Sequence, residues 1–266
     1  MSSPSCALRL TGRDVLPLLH RTTSNALADL RPGEARATLF CDFRGRLLHR
    51  AVVAHTRDGA VWLLRADAPG DTLAAAVDRM VFRDDVAIAD RSQDCRVTLV
   101  ADPERASGVL EDAHGVPTRV ATGDGTALVI GEAAALPESA RIALLHPRHG
   151  HEIAEAWNPF EVGLGHEVHL AKGCFTGQEA LQRLITYTSV RRRPAHVRLA
   201  HEPVAVPAPL LVQGEPAGHV TSVAGLDAFA LVAIAPFEAS ATFTLEDGSA
   251  VAIVSAPEPS RPLGRP

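Results

Sequence analysis

A chain of 266 residues, 46% of them hydrophobic and with charges of both signs, can bury a substantial core in one large or two ordinary domains. Its formal net charge of −5 excludes a general attraction to nucleic acid, so any RNA contact needs a local patch such as Arg191-Arg192-Arg193. The four cysteines, Cys6, Cys41, Cys95 and Cys174, form no CxxC pair, which leaves a zinc knuckle or a compact cluster-binding loop without support. Residues 1–10 lack a basic region followed by an apolar run, and no apolar stretch is long enough to span a bilayer. The expectation is a reducing cytoplasm with free thiols, and no membrane partner.

In chain order, Gly12 to Leu30 reads as a helix with Val15, Leu16, Leu18, Leu19 and Leu27 on its apolar face. Pro17 falls early in that run, where a first-turn proline is tolerated. Residues 37–65 read as a three-strand meander, with Gly45 in the first turn and Asp58-Gly59 in the second. A helix is expected from Thr72 to Phe82, then short strands at 86–89, 97–100 and 127–130. The last two strands are joined by a segment rich in Gly, Asp and Pro, and Arg141 to Leu145 closes the block. Strands and helices in mixed order, with hairpins, predict α+β rather than a doubly wound parallel sheet.

His146, His149, His151 and His166 invite a metal reading, but the spacing lacks a helical H-E-x-x-H pair, and solvated loop histidines are expected instead. Beyond Arg193-Pro194, short strands separated by turns, with no helix, predict a small antiparallel β-barrel or sandwich. The expected division is an α+β region over 1–190, a β-barrel over 191–256 and a disordered Pro-rich tail over 257–266.

The stretch Lys172-Gly173-Cys174-Phe175-Thr176-Gly177-Gln178-Glu179 carries the chemistry. Two glycines bracket a thiol, and a helix-like run follows from Glu179. A helix opened by Gly177 or Gln178 turns its free N–H groups and positive dipole end toward the sulfur, while Lys172 adds a cation. Both favour the thiolate, which makes Cys174 a candidate reactive cysteine. The alternative is a small apolar residue in a turn.

This octapeptide resembles the K-G-C-[FY]-x-G-Q-E signature of YgfZ-type folate-binding proteins, relatives of the glycine cleavage T-protein, an aminomethyltransferase. The likeness runs from about Leu10 to about Val254 and is firmest over 158–193. Asn158-Pro159-Phe160-Glu161-Val162-Gly163-Leu164 resembles the T-protein stretch whose glutamate grips the pterin ring through paired hydrogen bonds.

The resemblance implies tetrahydrofolate or another reduced folate as cofactor. Cys174 would be the catalytic thiol, and Glu161, Lys172, Gln178 and Arg192 cofactor contacts. A second implication is a role in assembling or repairing iron–sulfur client enzymes, including those that thiolate tRNA. T-proteins carry an acidic pair on the strand after the first hairpin turn. Aligned on Gly45, this chain has His49 and Arg50 there, which counts against ordinary glycine-cleavage chemistry. The rival expectations are a folate-dependent aminomethyl or methyl transferase, and an RNA-binding module that uses the arginine run.

Overall fold

The computed structural model describes residues 4–203 and 205–264. The chain opens with β1 (Cys6–Thr11) and α1 (Val15–Thr22), followed by the expected meander of β2 (Ala35–Cys41), β3 (Leu47–His55) and β4 (Val61–Arg65). With α2 (Asp71–Asp78) and β5 (Ala87–Asp90) in place, the strands form one antiparallel sheet of order β2-β3-β4-β1-β5. The next four strands are β6 (Val97–Ala101), β7 (Ser107–Glu111), β8 (Pro117–Thr122) and β9 (Thr126–Ile130). They make a second sheet of order β6-β9-β8-β7.

Both faces of the first sheet are covered, which is why β3 and β4 read as nearly continuous apolar runs. On one face Leu8, Leu10, Val53 and Leu63 meet Leu18 and Leu19 of α1 and Leu73 and Val77 of α2. The alternate residues Val52, Ala54, Trp62 and Leu64 pack on Val97, Val109, Val120 and Leu128 of the second sheet. Arg50 is in step with Val52, so the strand's own alternation sends a guanidinium into the gap between the sheets.

After α3 (Glu138–Ala143), an irregular stretch and a 3-10 turn at Gly165–Glu167 lead to α4 (Gln178–Thr186). A closed barrel follows, built from β10 (Arg192–Arg198), β11 (Ala208–Val212), β12 (Glu215–Ala224), β13 (Asp227–Ala233), β14 (Phe243–Thr244) and β15 (Ala250–Ser255). Strand β13 is apolar on both sides: Ala228, Ala230 and Val232 fill the barrel, whereas Phe229 and Leu231 face outward onto Trp157, Phe160 and Leu181. That outward face seats the barrel on the body.

The structure departs from the sequence expectations at several points. Helix α1 stops at Thr22 rather than running to Leu30, because the next side chains reach across to β2. Ser24 Oγ accepts the Leu39 N–H at 3.0 Å, and Asn25 Nδ2 donates to the Ala37 carbonyl at 2.8 Å. The Gly- and Asp-rich segment after β6 holds the hairpin β7–β8, and the closing segment around Arg141 is the helix α3. A short helix, α5 (Ile234–Glu238), interrupts the barrel, with Pro236 in its first turn.

The tail is also ordered where it is described. Leu263 N–H donates to the Val168 carbonyl at 2.7 Å, and Leu170 N–H donates to the Leu263 carbonyl at 3.0 Å. A Cβ at Gly165 would lie 2.1 Å from the Ser260 carbonyl oxygen, so only glycine admits the tail there. Residues 265–266 lie outside the described part.

The Lys172–Glu179 loop and the Asp42–Arg46 turn interlock through two glycines. A Cβ on Gly177, whose φ is +83°, would lie 2.4 Å from the Asp42 carbonyl oxygen, and one on Gly45 would lie 2.9 Å from Leu181. Gly177→Ala is therefore expected to destabilise the fold by about 1–3 kcal/mol, the scale of a non-glycine residue forced into a sparsely allowed backbone region. Urea unfolding checks this, and an unchanged midpoint contradicts the interlock.

Candidate functional site

Where the apolar layer between the two sheets ends, a cavity of about 520 Å³ opens. Val52, Leu64, Val97, Leu99 and Leu128 continue the apolar wall, and Arg50, Arg65, Asp67, Asp124, Arg148 and His149 supply the polar one. A smaller cavity of about 170 Å³ shares Arg50, Asp124 and His146 and reaches Gly163, Pro194 and Pro257 beside the barrel.

Arg50 divides the two cavities. Its Nε and Nη2 donate to Glu167 Oε1 at 2.9 and 2.7 Å, and Nη2 reaches Asp124 Oδ2 at 3.4 Å. Burial works against its charge, but the adjacent Glu167 outweighs that and raises the guanidinium above its ordinary value. Beside it, burial and then the Arg50 charge push the His146 imidazole down to about 3.

A second polar group stands at the end of β4. Asp67 Oδ1 accepts from His149 Nδ1 at 2.9 Å, and Oδ2 accepts the His149 backbone N–H at 2.8 Å. Burial acts to raise the Asp67 carboxyl, yet hydrogen bonds from the His149 ring and backbone outweigh it and hold it at about 2. Arg65 lies 3.2 Å from both His49 Nδ1 and His149 Nε2. Burial, then Arg65, push His49 down to about 4.

Residues 146–152 form the third wall, and Glu152 pins them to the barrel. Its carboxylate is fully buried; Oε1 accepts Thr221 Oγ1 at 2.5 Å and Ser222 Oγ at 2.7 Å, while Oε2 accepts the Arg148 N–H at 3.2 Å. His151 Nδ1 donates to the Thr221 carbonyl at 2.7 Å. The expectation of solvated loop histidines is thus corrected for His146, His149 and His151, which this clamp turns inward; His166 remains exposed. Arg148 Nε is buried with no hydrogen-bond partner in the structure. Among the described residues no group of three or more His, Cys, Asp or Glu side chains could hold a metal.

The residues singled out by sequence lie elsewhere. Gly177 caps α4, as expected, and Cys174 is exposed, whereas Cys6, Cys41 and Cys95 are buried. Lys172 Nζ donates to the His20 carbonyl and lies 4.8 Å from the Phe175 ring centroid, and burial lowers it to about 8. Gln178 Nε2 donates to the Leu170 carbonyl at 2.8 Å, so Gln178 closes its own loop while Lys172 ties that loop to α1.

Glu161 is buried and already paired. Asn158 Nδ2 donates to its Oε2 at 2.8 Å and Arg192 Nη1 to its Oε1 at 3.1 Å, with Arg46 Nη1 at 3.8 Å. None of Glu161, Lys172, Cys174, Gln178 and Arg192 lines either cavity. The arginine run is split among three environments. Arg191 is exposed, Arg192 faces Glu161 and stacks over Trp157, and Arg193 is buried, donating to the Ala256 carbonyl at 2.9 Å. Sequence reasoning passed over Arg65, Asp67, Asp124 and Glu152, which sit in ordinary turns and strand ends without a motif.

No protein-family model matches this sequence. In the solved structures, the chain resembles the glycine cleavage system aminomethyltransferase T from Bartonella henselae, with a TM-score of 0.73 and 16% identity over 94% of this chain and 83% of that one. It has that fold. A chloroplastic protein of Arabidopsis thaliana, whose name gives it as a candidate transferase, is 33% identical over 88 residues. That match spans 33% of this chain and only 20% of the relative's length. Among the described residues no helix is long and apolar enough to cross a membrane.

Two outcomes follow from this geometry. His49 and His146 are neutral when folded and bind protons once unfolded, so the unfolded state takes up more protons as pH falls from about 6.5 to about 4. Stability is expected to fall across that window, and His49→Gln is expected to flatten the slope; urea midpoints at a series of pH values measure it. Cys174 is expected to react with iodoacetamide before the three buried thiols, because Cys6 and Cys41 are each raised to about 12 by burial. A flat labelling profile by mass spectrometry contradicts this.

Proposed function

We propose that this chain binds tetrahydrofolate in the larger cavity and acts as a YgfZ-type protein. In that role it supports the assembly or repair of iron–sulfur enzymes in the cytoplasm, tRNA-thiolating ones included. The cavity carries the reading. Its volume of about 520 Å³ suits a ligand of folate size, and its fold is that of an aminomethyltransferase.

The lining also suits the cofactor. An apolar slot between two sheets accepts a flat ring, and the wall carboxylates Asp124 and Glu138 are acceptors of the kind a pterin's amino and ring N–H groups require. Arg96 and Arg148 match the carboxylates of a glutamate tail. The buried, partnerless Arg148 Nε is a donor that a ligand oxygen would satisfy. Glu161, the pterin contact expected from sequence, is reassigned in this proposal to the ion pair with Arg192.

Cys174 supports the sulfur side of the proposal by its exposure on a loop fixed to the Asp42–Arg46 turn. A folate-dependent aminomethyl transferase is the second reading, favoured by the fold. Against it stands Arg50, a buried cation at the position where the resemblance to T-proteins expects an acid. The dispersal of Arg191, Arg192 and Arg193 removes the continuous basic patch that an RNA-binding module would use.

Calorimetric titration with tetrahydrofolate is expected to show saturable binding that Arg148→Ala weakens by about 1.5–3 kcal/mol, the scale of a hydrogen bond to a charged group. Absence of binding by the wild type overturns the folate reading. Retention of full tRNA thiolation in cells lacking the protein overturns the iron–sulfur role.

A further inference from the structure

The geometry points to an acid–base dyad, Asp67 with His149, that opens on the larger cavity and takes a proton from an N–H or O–H of the ligand held there. The tautomer is fixed by the partners. His149 Nε2 lies 3.2 Å from the Arg50 backbone N–H and 3.2 Å from Arg65 Nη1, and both of these groups can only donate. Nε2 therefore carries the lone pair and Nδ1 the proton, which it donates to Asp67 Oδ1 at 2.9 Å. The other Asp67 oxygen is held by the His149 backbone N–H at 2.8 Å, so ring and carboxylate are locked as one unit.

Arg50, Arg65, Asp67 and His149 all line the cavity. The Arg65 donor is a side chain at the long end of hydrogen-bond range, so an incoming ligand N–H can take its place on Nε2. Asp67 offsets the charge of the imidazolium that proton capture creates, and acts as a positioning residue. The titratable and charged groups around the ring are His49 and Arg50 from β3, Arg65 and Asp67 from the end of β4, His146 on its own segment, and Asp124 before β9.

This inference rests on the folate reading for its ligand. The probe reaction is condensation of bound tetrahydrofolate with formaldehyde. In it two N–H bonds and the carbonyl C=O break, two C–N bonds form, and both protons leave with the oxygen as water. No electrons are gained or lost. His149 Nε2 carries one proton from nitrogen to the departing oxygen.

His149→Gln is expected to slow this condensation on the protein about tenfold or more, below the usual range for general-base catalysis, when the rate is read at saturating tetrahydrofolate so that any change of affinity drops out. The pH–rate profile should lose its rising limb in the same variant. Equal rates and profiles in the two proteins overturn the dyad. If tetrahydrofolate does not bind, the folate reading has failed and the apo protein decides the dyad alone. Carbethoxylation of His149 by diethyl pyrocarbonate should then be about tenfold slower in Asp67→Asn, with the exposed His201 as unchanged internal control. No modification of His149, or an unaltered rate, overturns it.

Discussion

The buried pairing of Arg50 with Glu167 is the constraint on which the rest of the molecule depends. A guanidinium driven between two sheets by strand alternation needs a counter-charge, and that charge comes from a 3-10 turn more than a hundred residues later. Removing one partner of such a pair typically costs about 3–5 kcal/mol, because the other is left charged and dry. The pair therefore fixes where the 165–167 turn lies against β3, and with it the approach to the thiol loop. Asp124 and His146 meet the same guanidinium, so both cavities share one electrostatic keystone.

The cavity walls come from three separate stretches, each held by a different kind of force. The sheets are held by apolar packing, the 146–152 stretch by the Glu152 clamp, and the dividing wall by the Arg50 ion pair. A fully buried carboxylate that bonds two hydroxyls on β12 makes the barrel a structural partner of the cavity, although the barrel contributes none of the larger cavity's lining. The fold is nonetheless the one seen in an aminomethyltransferase at 16% identity.

Much of the fold was legible because it rests on local rules. The meander from β2 to β4 showed in its alternation and in Asp58-Gly59, and the barrel in its short strands and turns. Helix α1 was overdrawn since Leu27 and Leu30 do join the same core, but from an irregular stretch whose Ser24 and Asn25 bond to β2. The hairpin β7–β8 was missed because it is short, half-exposed and carries few apolar residues. At the site, the octapeptide located an exposed thiol and a glycine-capped helix. Asp67 and His149 are 82 residues apart in sequence and meet only through tertiary packing, which no spacing rule registers. Lys172, Gln178 and Glu161 were expected to touch a ligand; here the first two donate to backbone carbonyls, and Glu161 accepts from Asn158 and Arg192.

The strap from Pro257 to Gly264 has a consequence for how the molecule assembles. Its backbone completes a ladder with Val168 and Leu170, the residues that lead directly into Lys172 and the thiol. A ribosome-bound chain would expose the cysteine loop well before the segment that anchors its stem had emerged. The cysteine loop therefore takes its final place only once the strap has docked, and cutting the strap away would remove the two backbone hydrogen bonds that hold the loop's stem.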